Sequence, residues 1–302
     1  MNLLQWKFLH PRFWLSWLGL GLMRLTVFLP VKVQLWLGRR LGSLLAIILK
    51  GRTNIARRNL ALCFPELSEQ QRADLLVKNN QEMGIMLIET ASSWWASDQS
   101  LLKRTHFEGL EHLEAAFAKG KGVIVLTGHF TSMEVCGRLL GLKRPGYVFF
   151  RPMKNELFNT VMLAARQRYS EGIISQDNPR LMFKLLRKGQ AVWFAPDQDY
   201  GPDRSIMLTF FDIPAATVPA TGRLAKLSGA AVIPYVPSRD ENGHYTLRCY
   251  PALEDFPSGD DLTDTQYIND VLEAKIKQQP EQYLWAHRRF KTQSEGKGLL
   301  YK

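Results

Sequence analysis

The residues with the clearest chemical content stand just after short apolar runs. Val123 to Thr127 is followed by Gly128, His129, Phe130, Thr131, Ser132, Met133 and Glu134. On one continuous helix a histidine and a glutamate five positions apart point about 140° away from each other. They meet if His129 sits on a turn and Glu134 in the first helical turn after it. A carboxylate so placed would hold the imidazole in one tautomer, and the other ring nitrogen could then remove a proton from a hydroxyl. The same letters carry a plainer reading: Thr131 and Glu134 have capping-box spacing, and His129 could be a hydrogen-bonded loop histidine.

Tyr147 to Phe150 leads into Arg151, Pro152, Met153 and Lys154, and the helical stretch beyond ends at Arg166, Gln167 and Arg168. Arginines beyond a strand end suit phosphate, which a guanidinium can bind through two parallel bonds; otherwise they are solvated surface charges. Ala191 to Ala195 leads into Pro196, Asp197, Gln198, Asp199, Tyr200 and Gly201. These two carboxylates could orient the arginines, bind a divalent ion or form the turn, and without ligand spacing elsewhere a metal is the weakest of the three. The sequence has no Gly-x-Ser-x-Gly elbow, phosphate loop, complete dinucleotide glycine fingerprint or His-Glu-x2-His. Neither cofactor nor metal is expected.

The elements that must position these residues alternate. Apolar residues at helical spacing run from Ser68, a plausible N-cap, to Trp94, and helical patterns recur at about 133–142, 157–170, 180–188 and 219–228. Between them lie short β-rich runs at 123–127, 147–150, 191–195 and 231–236, with an antiparallel strand expected at 245–250. The order predicts an α/β fold with a mainly parallel central sheet flanked by helices, in which ligands bind beyond the carboxyl ends of the strands.

The charge is distributed unevenly. The 302 residues include 39 Lys or Arg and 28 Asp or Glu, a net of +11, but ten of the basic residues precede the first acid, Glu66. Beyond it 29 bases face 28 acids, so the body is almost neutral, which argues against nucleic acid as a partner. Residues 1–60 read as a basic, apolar, membrane-anchoring helical segment and 61–302 as an α/β domain. The run 13–29 has 17 residues and one charge, Arg24, at the lower length limit for a spanning helix. The shorter run 41–49 suits an interfacial or buried position. Spanning or interfacial, the expected result is a membrane-bound protein with its body on the cytoplasmic side. Three widely spaced cysteines, Cys63, Cys136 and Cys249, give no disulfide or zinc pattern and suit a reducing compartment.

Several ordered blocks together resemble the lipid A late acyltransferases, which share the His and acid pair with the wider glycerolipid acyltransferases. They are Asn54, Arg58, Asn59 and Leu60 with Phe64-Pro65-Glu66; Gly128-His129 with Glu134; Phe150-Arg151-Pro152; Pro196 to Gly201; and Pro280 to Tyr283 through Trp285, His287, Arg288, Arg289, Phe290 and Lys291. The resemblance implies an inner-membrane enzyme that moves a fatty acyl chain from acyl carrier protein to a hydroxyl on an acyl chain of a phosphorylated glucosamine disaccharide, the lipid A precursor. It implies His129 as general base with Glu134 orienting it. Arg151, Arg166 and Arg168 would contact the anionic substrate, with Asp197 and Asp199 supporting them. Trp285 to Lys291 would contact phosphate or form a helix packed over the sheet. Alternatives are the same chemistry on another glycolipid or glycerophospholipid, or a membrane-anchored lipid-binding module without catalysis.

Overall fold

A computed structural model describes residues 5–150, 152–294, 296 and 298–301, so Arg151 lies outside the described residues. Four helices come first: α1 (Trp14–Thr26), α2 (Val31–Ile48), α3 (Lys50–Cys63) and the 27-residue α4 (Glu69–Trp95). Then follow α5 (Asp98–Leu102), β1 (Thr105–Glu108), α6 (Leu110–Ala118), β2 (Val123–Leu126), α7 (Met133–Lys143), β3 (Tyr147–Phe150) and α8 (Glu156–Arg166). The rest comprises β4 (Gly172–Ser175), α9 (Arg180–Arg187), β5 (Ala191–Phe194), β6 (Ile206–Phe210), β7 (Ile213–Thr217), α10 (Ala220–Ser228), β8 (Ala231–Arg239), β9 (Tyr245–Cys249) and α11 (Asp261–Ile276).

Seven strands form one sheet in the order β1-β9-β8-β2-β5-β3-β4. The five from β8 to β4 are parallel, β9 runs antiparallel to β8, and β1 lies parallel to β9. Helices cover both faces, which is why β2 reads as an unbroken apolar run. Successive side chains alternate between two cores: Ile124 and Leu126 join Val192, Phe194 and Val232 on one face, while Val123 and Val125 join Ile233 and Tyr235 on the other. The mainly parallel α/β architecture expected from the sequence is present.

The expected N-terminal helices form, but the run 13–29 does not build a spanning helix. Helix α1 has 13 residues and stops at Thr26, so it reaches about 20 Å against a hydrocarbon core of about 30 Å. Among the described residues no helix is long and apolar enough to cross a membrane. Helix α2 instead packs along α4 through three glycines: a Cβ at Gly84 would collide with the Gly38 carbonyl oxygen and the Gly42 backbone. Helix α3 continues past residue 60, and its Ala56, Leu60 and Cys63 share a core with the sheet. Ser68 and Gln71 close a capping box at the start of α4.

A separate two-stranded hairpin, β6 and β7, turns on Phe211 and Asp212, both at positive φ (51° and 58°). Packing holds this costly turn: the Phe211 ring meets Phe64, Phe210 and Trp285 edge-on, and its N–H donates to Glu273 Oε1 at 2.6 Å.

Candidate active site

The register of two neighbouring strands builds the site. Strands β2 and β5 pair in parallel with Leu126 opposite Phe194. Three residues beyond these partners stand His129 and Asp197, so equal offsets carry them to the same point past the sheet. His129 Nδ1 lies 2.6 Å from Asp197 Oδ1, and the His129 backbone N–H donates to Oδ2 at 2.8 Å. The Tyr283 hydroxyl donates to the same Oδ2, also at 2.8 Å. An ionised carboxylate accepts only, so Nδ1 carries the ring proton and Nε2 keeps its lone pair. Asp197 has no exposed side-chain surface, while His129 retains 24%.

Electrostatics reinforce this assignment. Burial works against a charged imidazole, but Asp197 outweighs it by charge and hydrogen bond and raises the His129 pKa above its ordinary value. Burial would raise the Asp197 carboxyl; the charge and bonds of His129, with the Tyr283 hydroxyl, hold it well below the usual carboxylate range.

Tyr283 arrives on a segment zipped onto the loop after β2. Phe130 and Tyr283 form an antiparallel bridge, Thr131 N–H donates to the Gln282 carbonyl at 2.8 Å, and Leu284 N–H to the His129 carbonyl at 3.0 Å. Two buried asparagines fix the segment from outside. Asn79 Nδ2 donates to the carbonyls of Glu281 and Tyr283 at 2.8 and 2.7 Å, and Asn59 Nδ2 to those of Trp285 and His287, both at 2.7 Å.

Glu134 is in the first turn of α7 as expected, but its partner is not His129. Its carboxylate takes Arg166 Nη2 at 2.5 Å and Nε at 3.2 Å, Trp94 Nε1 at 3.2 Å and the Tyr169 hydroxyl at 3.5 Å. Burial would raise its pKa, and Arg166, with Trp94 and Tyr169, lowers it instead. The carboxylate paired with the His129 ring is therefore Asp197 and not the expected Glu134, because strand register brings Asp197 to Nδ1 while Arg166 engages both Glu134 oxygens. The capping-box alternative does not form either: α7 has Ser132 at its N-cap with no side-chain cap bond, and the Thr131 hydroxyl has no partner among the described residues.

The other expected residues separate. Arg166 faces the same cavity as His129 and Glu134. Arg168 turns away and donates to the Trp94 carbonyl. Asp199 supports no arginine among the described residues: its oxygens accept from Thr292 N–H and hydroxyl at 2.8 and 3.0 Å and from Gly201 N–H at 2.8 Å, with Lys291 Nζ 3.5 Å away. The Trp285 to Lys291 block is not helical; it runs as turns, with Arg289 buried and donating to Ala216 O at 2.6 Å and Thr217 Oγ1 at 2.5 Å. His287 Nε2 accepts the Asp199 N–H at 3.2 Å, and burial lowers its pKa to about 4. Tyr283 and His287 stood in the C-terminal block the sequence singled out, but Trp94 and Tyr169 gave no signal, being ordinary helix aromatics by spacing.

Beneath His129 a cavity of about 250 Å³ runs between the sheet, α7 and α8. His129, Glu134 and Arg166 line it together with hydrocarbon and aromatic side chains, among them Val125, Val148, Phe149, Met162 and Trp193. Among the described residues no three His, Cys, Asp or Glu side chains converge for a metal. The arrangement offers an oriented imidazole base, a guanidinium beside it and a slot shaped for an apolar chain.

The sequence model of the bacterial lipid A biosynthesis acyltransferases matches residues 1–292. Among curated relatives, the lipid A biosynthesis palmitoleoyltransferase of Escherichia coli (strain K12) is 41% identical over 98% of this chain and 97% of its own. The lipid A biosynthesis lauroyltransferase of the same organism is 40% identical over 95% of each chain. Its lipid A biosynthesis myristoyltransferase is 30% identical over 98% of this chain and 93% of its own. A chain that matches this family model and these relatives along nearly its whole length is an acyltransferase, and it belongs to the bacterial lipid A biosynthesis acyltransferase family.

Proposed function

We propose that the protein transfers a fatty acyl group from acyl carrier protein to a hydroxyl on an acyl chain of a phosphorylated lipid A precursor. The observation that carries the chemistry is the line from Tyr283 through Asp197 to His129, which ends at the mouth of an apolar cavity. The donor's chain lies in that cavity with its thioester carbonyl near Nε2. His129 takes the proton from the acceptor hydroxyl as the oxygen attacks that carbonyl, and Asp197 stabilises the imidazolium that results. The tetrahedral oxyanion collapses, the carbon–sulfur bond breaks, and the leaving thiolate takes the proton back from His129. No acyl-enzyme is needed. Arg166, fixed by Glu134, supplies positive charge beside the oxyanion.

The reaction takes place at the cytoplasmic face of the inner membrane, with the N-terminal helices lying in the interface. Exposed Trp6, Trp14, Leu15, Leu18, Leu22 and Phe28 support this, since scattered apolar side chains are ordinary but a contiguous group with flanking cations is a lipid-facing signature.

The test is mass spectrometry of lipid products after membranes with wild-type or His129→Ala protein meet acyl-acyl carrier protein and a tetra-acylated lipid A precursor. One added acyl group, lost in the variant, is expected. No gain with folded wild-type protein rejects this donor and acceptor, and a gain that survives the variant rejects His129 as the base.

A further inference from the structure

On the other side of the 282–287 segment lies a second recess of about 320 Å³, between α2, α3 and α4. Leu45, Ala46, Met83, Met86, Leu284 and Ala286 line it, all half-exposed. Half-exposed apolar side chains around a hollow leave hydrocarbon surface in water, and two methionines give the walls an adaptable shape. The recess shares no lining residue with the cavity beneath His129. Its rim continues into exposed Leu44, Ile47, Ile48 and Leu49, and its mouth is cationic. Arg52 lines it and spends one N–H on the Ala286 carbonyl at 3.1 Å, with no other partner among the described residues. Lys50 is two positions away, and no acid precedes Glu66.

We propose that this recess holds a second, non-reacting hydrocarbon chain of the acceptor lipid, with an anionic headgroup against Arg52. The proposal rests on the acyltransfer reading and deepens it. A lipid with several chains offers the base more than one approach, and gripping a chain away from the chemistry fixes which hydroxyl reaches Nε2. The wall of the recess favours the acceptor over a bulk lipid. Leu284 and His287 face the recess on one side and, on the other, a small gap lined by His129 and Asp197. Charge complementarity selects an anionic lipid, and the apolar rim lets its chain enter from a bilayer surface.

Two measurements on the full-length protein in membranes test this. The first is kinetic, varying donor and acceptor separately. Ala46→Trp and Met83→Trp fill the recess from opposite walls, so one remains informative if the other fails to fold. Each should raise the acceptor KM about tenfold, the loss of about two buried methylenes, with kcat and the donor KM within twofold. Gly137→Val, which presses on Trp193 in the first cavity, should raise the donor KM instead. The second measurement is photocrosslinking with an acceptor lipid carrying a diazirine in one chain, scored by peptide mapping without turnover. Label on Met83, Met86 or Leu284, removed by Ala46→Trp and reduced by Arg52→Ala, is expected.

An unchanged acceptor KM in a folded recess variant overturns the proposal, as does a raised donor KM there. Label displaced equally well by phosphatidylglycerol vesicles assigns the recess to bilayer phospholipid and likewise overturns it. Failure of wild-type protein to acylate, with label still in the recess, fails the acyltransfer reading alone.

Discussion

Asp197→Asn separates the two candidate orienting acids, because the geometry decides which way the new amide must face. Two donors, the His129 backbone N–H and the Tyr283 hydroxyl, converge on the Oδ2 position, and one, Nδ1–H, meets Oδ1. The backbone donor cannot rotate. The carboxamide oxygen therefore takes the Oδ2 place and its NH2 faces Nδ1, which must then accept. The ring proton moves to Nε2, and the nitrogen at the cavity mouth is no longer a base. A wrong-tautomer histidine of this kind costs about 10⁴ in kcat, or about 5 kcal/mol at 1.36 kcal/mol per tenfold. The acceptor KM should stay within about threefold, since the Asp197 side chain is wholly buried and its oxygens are engaged by His129 and Tyr283. Single-turnover acylation with a radiolabelled donor measures the loss, and a thermal melt confirms folding. Glu134→Gln should cost less, roughly a hundredfold, by leaving Arg166 without its charged partner. A folded Asp197→Asn enzyme within tenfold of wild type would refute the assignment, and a larger loss in Glu134→Gln would return the orienting role to Glu134.

The pH dependence of kcat/KM should follow His129. Its pKa lies above the ordinary 6.5, because Asp197 outweighs burial, and a general base must be unprotonated. The rising limb should have its midpoint above 6.5, and in Asp197→Asn that midpoint should fall below it. Arg239→Met should cost about 3–5 kcal/mol in denaturant unfolding, since Arg239 is the counter-charge for Glu82 and Glu89 on one face of α4. Burial already raises Glu89 to about 7 against Arg239 and Tyr245; wild-type stability should thus fall as pH rises from about 4.5 to 7, and Glu89→Gln should flatten that slope. Gly84→Ala should cost about 1–3 kcal/mol and expose α2 to limited proteolysis, because the added methyl meets the backbone of Gly38 and Gly42.

Much of this is legible in the sequence for a physical reason: a strand buried on both faces is a pure apolar run, as β2 and β5 are, and the half-buried β3 and the first part of β8 carry apolar runs as well. The strands that escaped lack that signature. β1 (Thr105–Glu108) is a polar edge strand and β4 (Gly172–Ser175) a four-residue edge beginning with glycine. The β6–β7 hairpin turns on Phe-Asp, with no glycine or asparagine to mark its positive φ values. At the site, His129, Glu134 and Asp197 were all singled out, but the pairing was drawn along the chain, from His129 to the next acid. The true pairing runs across the sheet, and only the register of β2 against β5 reveals it. The run 13–29 misled because hydropathy counts residues without seeing that the helix ends at Thr26, with Pro30 beyond.

Helix α4 sets a common gauge for several parts of the molecule. Along about 40 Å of one rigid rod it meets the Tyr283 segment at Asn79, α2 at Gly84, strand β9 at Glu89, and Glu134 at Trp94. Each residue of α4 is worth 1.5 Å of height and 100° of azimuth. The interval between the α2 contact at Gly84 and the Glu134 contact at Trp94 is therefore counted in residues. An insertion of one residue between Gly84 and Trp94 would swing the Trp94 contact to the Glu134–Arg166 pair about a quarter-turn out of phase with α2. Loops elsewhere in the chain can vary in length without that consequence.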